Sequence, residues 1–416
     1  MTTISQISQD LNSLFTHIAD EEARRTGFIL RRRDVTGSGF AQGVVLGWAH
    51  QPQATRKQLH ESVLEAGLEI TPQGLDQRFN PAATAFMRGL LEKALTLLVY
   101  SDSKRAVLPR FKGVYVIDSS HVAWGEEKVK LGVRLDLQGG GLEISLEPPN
   151  RHDQKISLLD TPLPSGALAL ADLGFFKLER FKTWNERGVF WLSRLKVGTT
   201  LTQADGSPLP LAALLDANVP FSMPVKVGSK HPVEAYLVAA PLGEDDLKKR
   251  QAHLKETARK KQRPTSEQQL AVSHWTLYLT NIPNLSFGQA HILARTRWQI
   301  EMLFKLWKSH SHLEASRSKN PDRRACEGYA KLLAVVVKHW LLLVGGWECL
   351  AVSSVDALHL IQKYVPQLLQ KLALGHSFVA VIERLKQMLQ RLPRHSRRKS
   401  NPLAFQLWEV FDASFP

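Results

Sequence analysis

Val114-Tyr115-Val116-Ile117-Asp118-Ser119-Ser120 is the stretch that decides the fold. Four apolar residues run without a break and stop at an acid, the pattern of a central strand covered on both faces. Working outward, Val129, Leu131, Val133, Leu135 and Leu137 alternate with mostly polar residues, which predicts a half-buried strand. Gly139-Gly140-Gly141 reads as a turn, and Leu142, Ile144 and Leu146 alternate again to complete a hairpin. A second apolar run, Ala167 to Ala171, ends at Asp172. A helix is predicted from Phe175 to Glu186 and a further strand from Gly188 to Leu192. The order strand, hairpin, strand, helix, strand makes an α/β core with acids at two strand ends.

Residues 1–108 read as a helical N-terminal DNA-binding domain. One helix is predicted over Thr55 to Ala66, with Gly67 as a left-handed C-cap; Thr71 then offers an N-cap and Pro72 a first helical residue. This helix-turn-helix pattern puts Gln73, Gln77 and Arg78 where they reach base edges or phosphates, unless the pair is an ordinary surface hairpin. Residues 109–195 form the first part of the core. Residues 196–285 read as a β-rich insertion, with strands at Val233 to Val238 and His274 to Thr280. It carries one charged helix or loop bearing Lys248, Lys249, Arg250, Lys255, Arg259, Lys260, Lys261 and Arg263, a solvated face or a phosphate contact. Residues 286–345 complete the core, beginning with a helix over 286–312, and 346–416 are helical. Arg391, Arg394, Arg397, Arg398 and Lys399 read as a mobile phosphate-binding or solvated segment. Leu332 to Val344 is the most apolar run, but it is short and contains Lys338 and His339, so it is predicted to be a buried helix rather than a membrane span.

Lysine and arginine number 54 against 39 acids in 416 residues, a net charge of +15. Such a balance favours a polyanion, whether DNA, RNA or an anionic membrane. The two cysteines, Cys326 and Cys349, exclude a disulfide framework or a multi-cysteine zinc module and suit a reducing cytosol. Met1 to Asp10 has no basic region followed by an apolar stretch, so the expected location is cytoplasmic and nucleoid-associated, with no membrane partner.

Two-metal phosphoryl transfer needs several carboxylates at one point, and magnesium prefers hard oxygen ligands. Neighbouring strands ending at Asp118 and Asp172 set two carboxylates side by side. A helix packed across them supplies a third, Glu301. On that helix Arg297, Glu301 and Lys308 fall within roughly 40° of one another, and Lys305 lies about 80° from Arg297. An acid flanked by cations suits a metal ligand beside DNA phosphates, although such pairs are also everyday surface ion pairs. Ser119, Ser120 and His121 invite a hydrolase triad, but strand neighbours point to opposite faces and no G-x-S-x-G elbow is present. His152-Asp153 reads as polar surface, Asp136 and Asp160 are spare acids, and no P-loop occurs. Trp191, Trp275 and Trp298 are candidate core residues, any one of which could instead stack on an unpaired base.

Three segments, Val116 to Ser120, Ala171-Asp172-Leu173-Gly174-Phe175-Phe176 and Arg297-Trp298-Gln299-Ile300-Glu301, together resemble bacterial insertion-sequence transposases of the DDE type. The resemblance is to the insertion-sequence-four-like branch marked by a Tyr, Arg, Glu, Lys signature. Arg297, Glu301 and Lys308 hold the last three places, while Ala294 stands where the tyrosine belongs. The resemblance implies a ribonuclease-H-like mixed-sheet core interrupted by a β insertion. The gap of 129 positions between Asp172 and Glu301 is long enough for one. It implies that Asp118, Asp172 and Glu301 bind two Mg²⁺ (or Mn²⁺) and cut and rejoin double-stranded DNA at terminal inverted repeats, through a hairpin on the transposon end and insertion into target DNA. Trp298, Arg297, Lys305, Lys308, Gln77 and Arg78 are the expected DNA contacts. Synapsis of two ends calls for a homodimer. A DNA-binding regulator without catalysis, or a nuclease of the same fold that never joins strands, fits the same residues.

Overall fold

The computed structural model describes residues 3–31, 35–262, 270 and 272–414. Its strands are β1 (Val114–Trp124), β2 (Glu127–Asp136), β3 (Leu142–Glu147), β4 (Leu168–Ala171), β5 (Phe190–Arg194), β6 (Leu201–Gln203), β7 (Phe221–Val227), β8 (Val233–Pro241) and β9 (Trp275–Thr280). They form one mixed sheet in the order β3-β2-β1-β4-β5-β9-β8-β7-β6. The first five make the ribonuclease-H-like arrangement, with an antiparallel hairpin on β1 and β4 and β5 parallel to it. Strands β6 to β9, inside the expected insertion, extend this sheet rather than building a separate one, because β9 bonds antiparallel to β5.

Two readings need correction. β1 does not end at Asp118 but continues to Trp124. Its apolar run is short because β4 pairs it only over Val114 to Ile117; beyond that it is held by β2 alone, and its burial drops. β2 is buried on both faces from Val129 onward, not on one. Its polar side chains are paid for by partners: Arg134 donates to Glu143 Oε1 at 2.7 Å and to the Thr161 carbonyl at 2.9 Å, and Lys130 lies 2.6 Å from Asp153.

The helices used below are α1 (Arg56–Glu65), α2 (Pro72–Arg78), α3 (Pro81–Leu95), α4 (Leu178–Glu186), α5 (Glu244–Lys261), α6 (Phe287–Thr296), α7 (Trp298–Lys305), α8 (Pro321–Leu343), α9 (Ser354–Ala373) and α10 (Ala404–Ser414). Thr55 caps α1 in a reciprocal box with Gln58, Gly67 follows with φ +80°, and Thr71 caps α2 with Pro72 in its first turn. α8 is buried almost all round, including Lys338 and His339, and it packs on α3 and β1. On the opposite sheet face α4 sets Phe181 flat on Trp191, ring centroids 4.1 Å apart. Among the described residues no helix is long and apolar enough to cross a membrane.

The predicted helix over 286–312 is three pieces. α6 stops at Arg297, where Ile300 N–H closes a tight turn on the Arg297 carbonyl at 3.2 Å. α7 follows, and then a wider π turn spans Leu306–His310. The basic run at 248–263 is mostly α5, although Arg263 lies outside the described residues. Arg250 turns toward the sheet and donates to the Trp275 carbonyl at 2.5 Å, so that member is not a solvated one. The C-terminal basic segment is tied down rather than free. His395 N–H donates to the Ala351 carbonyl at 2.7 Å, Arg397 pairs with Glu409 at 2.7 Å, and Gln406 bonds both backbone groups of Arg398.

Candidate active site

The sheet register sets the first two acids. Ile117 pairs with Ala171, the last step of the parallel β1–β4 ladder, so Asp118 and Asp172 occupy the next step on adjacent strands. Neighbouring strands lie about 4.8 Å apart. Leu170 pairs with Leu192 on β5, which continues the row to Ser193 and Arg194. α7 packs against β1 and delivers Glu301 from above.

Between the acids stands a cation. Arg297 donates from one guanidinium nitrogen to Asp118 Oδ2 at 3.0 Å and from the other to Glu301 Oε1. The Ser119 N–H donates to the other Asp118 oxygen at 2.8 Å. Burial pushes the Asp118 carboxyl up to about 6. The Ser119 N–H and the Arg297 charge pull it back, and the Asp172 and Glu301 charges push it up again. Asp118 therefore feels both of the other acids. The three do not, however, form a ready-made metal pocket: among the described residues no group of three or more His, Cys, Asp or Glu is arranged to hold an ion as it stands. Asp118 and Glu301 converge on a guanidinium, because acids this close need positive charge between them. The donor set still suits a hard divalent cation, being all carboxylate oxygen with a cation already at its centre.

The cleft beside this cluster has a volume of about 260 Å³ and is lined by Asp172, Glu301, Arg297, Arg194, Tyr278 and Trp298, among others. Ala294, in the tyrosine place of the signature, also lines it. Tyr278 on β9 brings a phenol into the same cleft, donating to or accepting from His291 Nδ1 at 3.1 Å. Sequence reading missed Tyr278 and Arg194; each sits on a strand whose neighbours in the sheet only the fold reveals.

The remaining candidates divide. Trp298 is 59% exposed at the cleft mouth, whereas Trp191 and Trp275 are core. Lys308 lies outside the cleft lining. It donates to the His121 carbonyl at 2.7 Å and pairs with Glu314 at 3.5 Å, three residues along β1 from Asp118. Lys305 is exposed on α7 and faces a different cavity. Gln77 is exposed and Arg78 half-buried on α2, outside the residues that line the cleft. Asp153 is not idle surface: it accepts from Ser119 Oγ at 2.6 Å and from Lys130, and burial is outweighed by those partners so that its carboxyl sits low. It thereby braces the residue next to Asp118. Asp136 accepts from the Gln138 N–H at the hairpin turn and takes no part in the cluster.

Residues 109–337 match the family model described as Transposase DDE domain. The chain is 26% identical to the transposase of insertion sequence element IS231F from Bacillus thuringiensis subsp. israelensis, covering 94% of this chain and 92% of that one. It is 24% identical to the transposase of IS1151 from Clostridium perfringens, covering 93% and 92%. A shorter match, 32% identical over 25% of this chain and 28% of the other, is to the putative transposase InsL of IS186A from Escherichia coli strain K12.

Proposed function

This chain belongs to the DDE transposase family and is an enzyme of DNA phosphoryl transfer that uses divalent metal; on that premise we propose that it performs cut-and-paste transposition with Asp118, Asp172 and Glu301 as its metal-holding catalytic carboxylates. The observation that carries the assignment is the convergence of Asp118 and Glu301, 183 positions apart, on one guanidinium, with Asp172 one register step away. Two Mg²⁺ (or Mn²⁺) ions, when bound there, would supply a more acidic attacking hydroxyl and neutralise the charge on the leaving 3′ oxygen.

The chain's own residues do the rest. Arg297 holds the acids together without metal and, once displaced from them, is within reach of a phosphate beside the scissile bond. Lys308, held along β1, takes a phosphate further from it, and Lys305 serves the outer side of α7. Trp298, with its ring in solvent, is the aromatic positioned to stack on an unpaired base. Gln77 and Arg78 on α2 contact double-stranded DNA away from the cleft. Synapsis of two terminal inverted repeats calls for a homodimer, each subunit acting on the end its partner recognises.

The test is a cleavage assay on a terminal inverted repeat with target DNA present. Wild type nicking the end in Mg²⁺ and joining the 3′ end covalently to target supports the reading. Cleavage that persists in Asp118→Ala removes the catalytic assignment. Cleavage without any target junction makes the protein a nuclease of this fold.

A further inference from the structure

Behind α7, on the side away from the carboxylates, lies a second and larger cavity of about 590 Å³. Its lining includes five Lys or Arg side chains, three histidines and, among the described residues, no Asp or Glu. Its buried end is cationic. Lys338 on α8 is 3% exposed, and its ammonium donates to Ser311 Oγ at 3.0 Å. No carboxylate stands within ion-pair distance of it among the described residues; burial, with the charge of a second cation, Lys331, lowers it to about 7. Arg105 lies over the Trp347 ring, 3.7 Å from its centroid, and donates to the Trp347 carbonyl, again without an acid. Ser354 and Val355, in the first turn of the 20-residue α9, also line this space, although that turn carries Asp356 and its N–H is capped by Ser353.

A buried ammonium with one hydroxyl partner is costly, and an anion is the partner that removes the cost. The walls combine a few uncharged polar side chains with flat aromatic ones: Trp307, Trp408 and Phe405 line the cavity, with Trp298 at its rim. Cations at the base and aromatic rings along the sides, in a volume of this size, match a ligand with a planar body and a phosphate tail. Arg297 and Glu301 do not line the cavity, and of its cations only Arg295 also lines the carboxylate cleft.

We propose that this cavity binds a free nucleoside diphosphate, its phosphates on Lys338 and Arg105 and its base among the tryptophans. Trp298 and Arg295 line both this cavity and the carboxylate cleft, so an occupant presses on the residues that flank Arg297. The site would report nucleotide supply to the catalytic helix.

The test is calorimetric titration of the full chain with ADP in EDTA, where no divalent ion can recruit nucleotide to the carboxylates. One ADP per chain is expected, with pyrophosphate competing more weakly than ADP. Lys338→Met, close to lysine in shape and free of the buried charge, should weaken ADP at least tenfold while Glu301→Gln leaves it unchanged. Should the Met variant misfold, Arg398→Gln, exposed at the cavity edge, should still weaken ADP several-fold. The proposal is overturned by absence of ADP binding at millimolar concentration, by a folded Lys338→Met or Arg398→Gln that binds as wild type does, or by a loss that follows Glu301→Gln instead. It is equally overturned if only DNA with an unpaired end occupies the cavity. None of these outcomes touches the DNA-cleavage reading.

Discussion

The two faces of α7 hold opposite electrostatic problems. On one, Asp118 and Glu301 share a single guanidinium with Asp172 close by; on the other, cations line a cavity that has no acid among the described residues. The cleft has solved its problem internally, with Arg297 as a resident counter-charge, while the cavity has not. The difference teaches that charge alone does not mark a site. What marks it is whether the chain supplies the partner, and where it does, the partner has to leave before a ligand can enter.

The largest expected effect breaks the comparison at the acids. Asp118→Ala and Glu301→Gln should each lower end cleavage by about 10³-fold or more, read as single-turnover nicking with the fold checked by circular dichroism. A variant that keeps a tenth of the activity would take that residue out of the chemistry. Next comes stability. The folded-state pKa of Asp118 is raised from 3.8 to about 6, so the unfolded chain ionises first and stability falls as pH climbs between those values. Asp118→Asn should therefore melt higher than wild type at pH 8, by at most about 3 kcal/mol at 1.36 kcal/mol per unit, and match it at pH 3.5. Equal melting at both pH values would mean that burial does not strain this carboxyl.

A smaller effect probes the resident cation. Arg297→Gln removes the competitor for the acids, so Mn²⁺ should bind about tenfold more tightly in a direct titration, roughly 1.4 kcal/mol, even as cleavage drops. Weaker Mn²⁺ binding would show that Arg297 organises the acids and does not compete for them. Smallest is Lys308→Ala, which should weaken binding of end DNA and reduce its logarithmic salt slope by about 1 while leaving Mn²⁺ affinity alone. An unchanged slope places Lys308 off the DNA.

Much of the fold was legible because local patterns carried it. Asp172 follows an apolar strand, the cap at Thr71 announces a helix, and the Arg297–Glu301 spacing is a helical one. What was not legible depends on distance in space. No periodicity tells that Arg297 reaches Asp118, 179 positions away, or that Asp153 braces Ser119 through 34. The extra length of β1 was hidden because a strand paired on one side needs no apolar run. Lys338 interrupts an apolar segment and so suggested only that the segment was no membrane span, whereas its burial gives it a partner problem that the sequence could not pose.

The pairing of β5 with β9 has a consequence for how the molecule is made. Arg194 must wait for Tyr278, 84 positions later, before that edge of the sheet closes. During synthesis the two aspartates leave the ribosome well before the glutamate that completes them. If the three acids act together as proposed, a nascent or truncated chain ending inside the intervening segment is harmless to the chromosome, able to display two acids but not to cut.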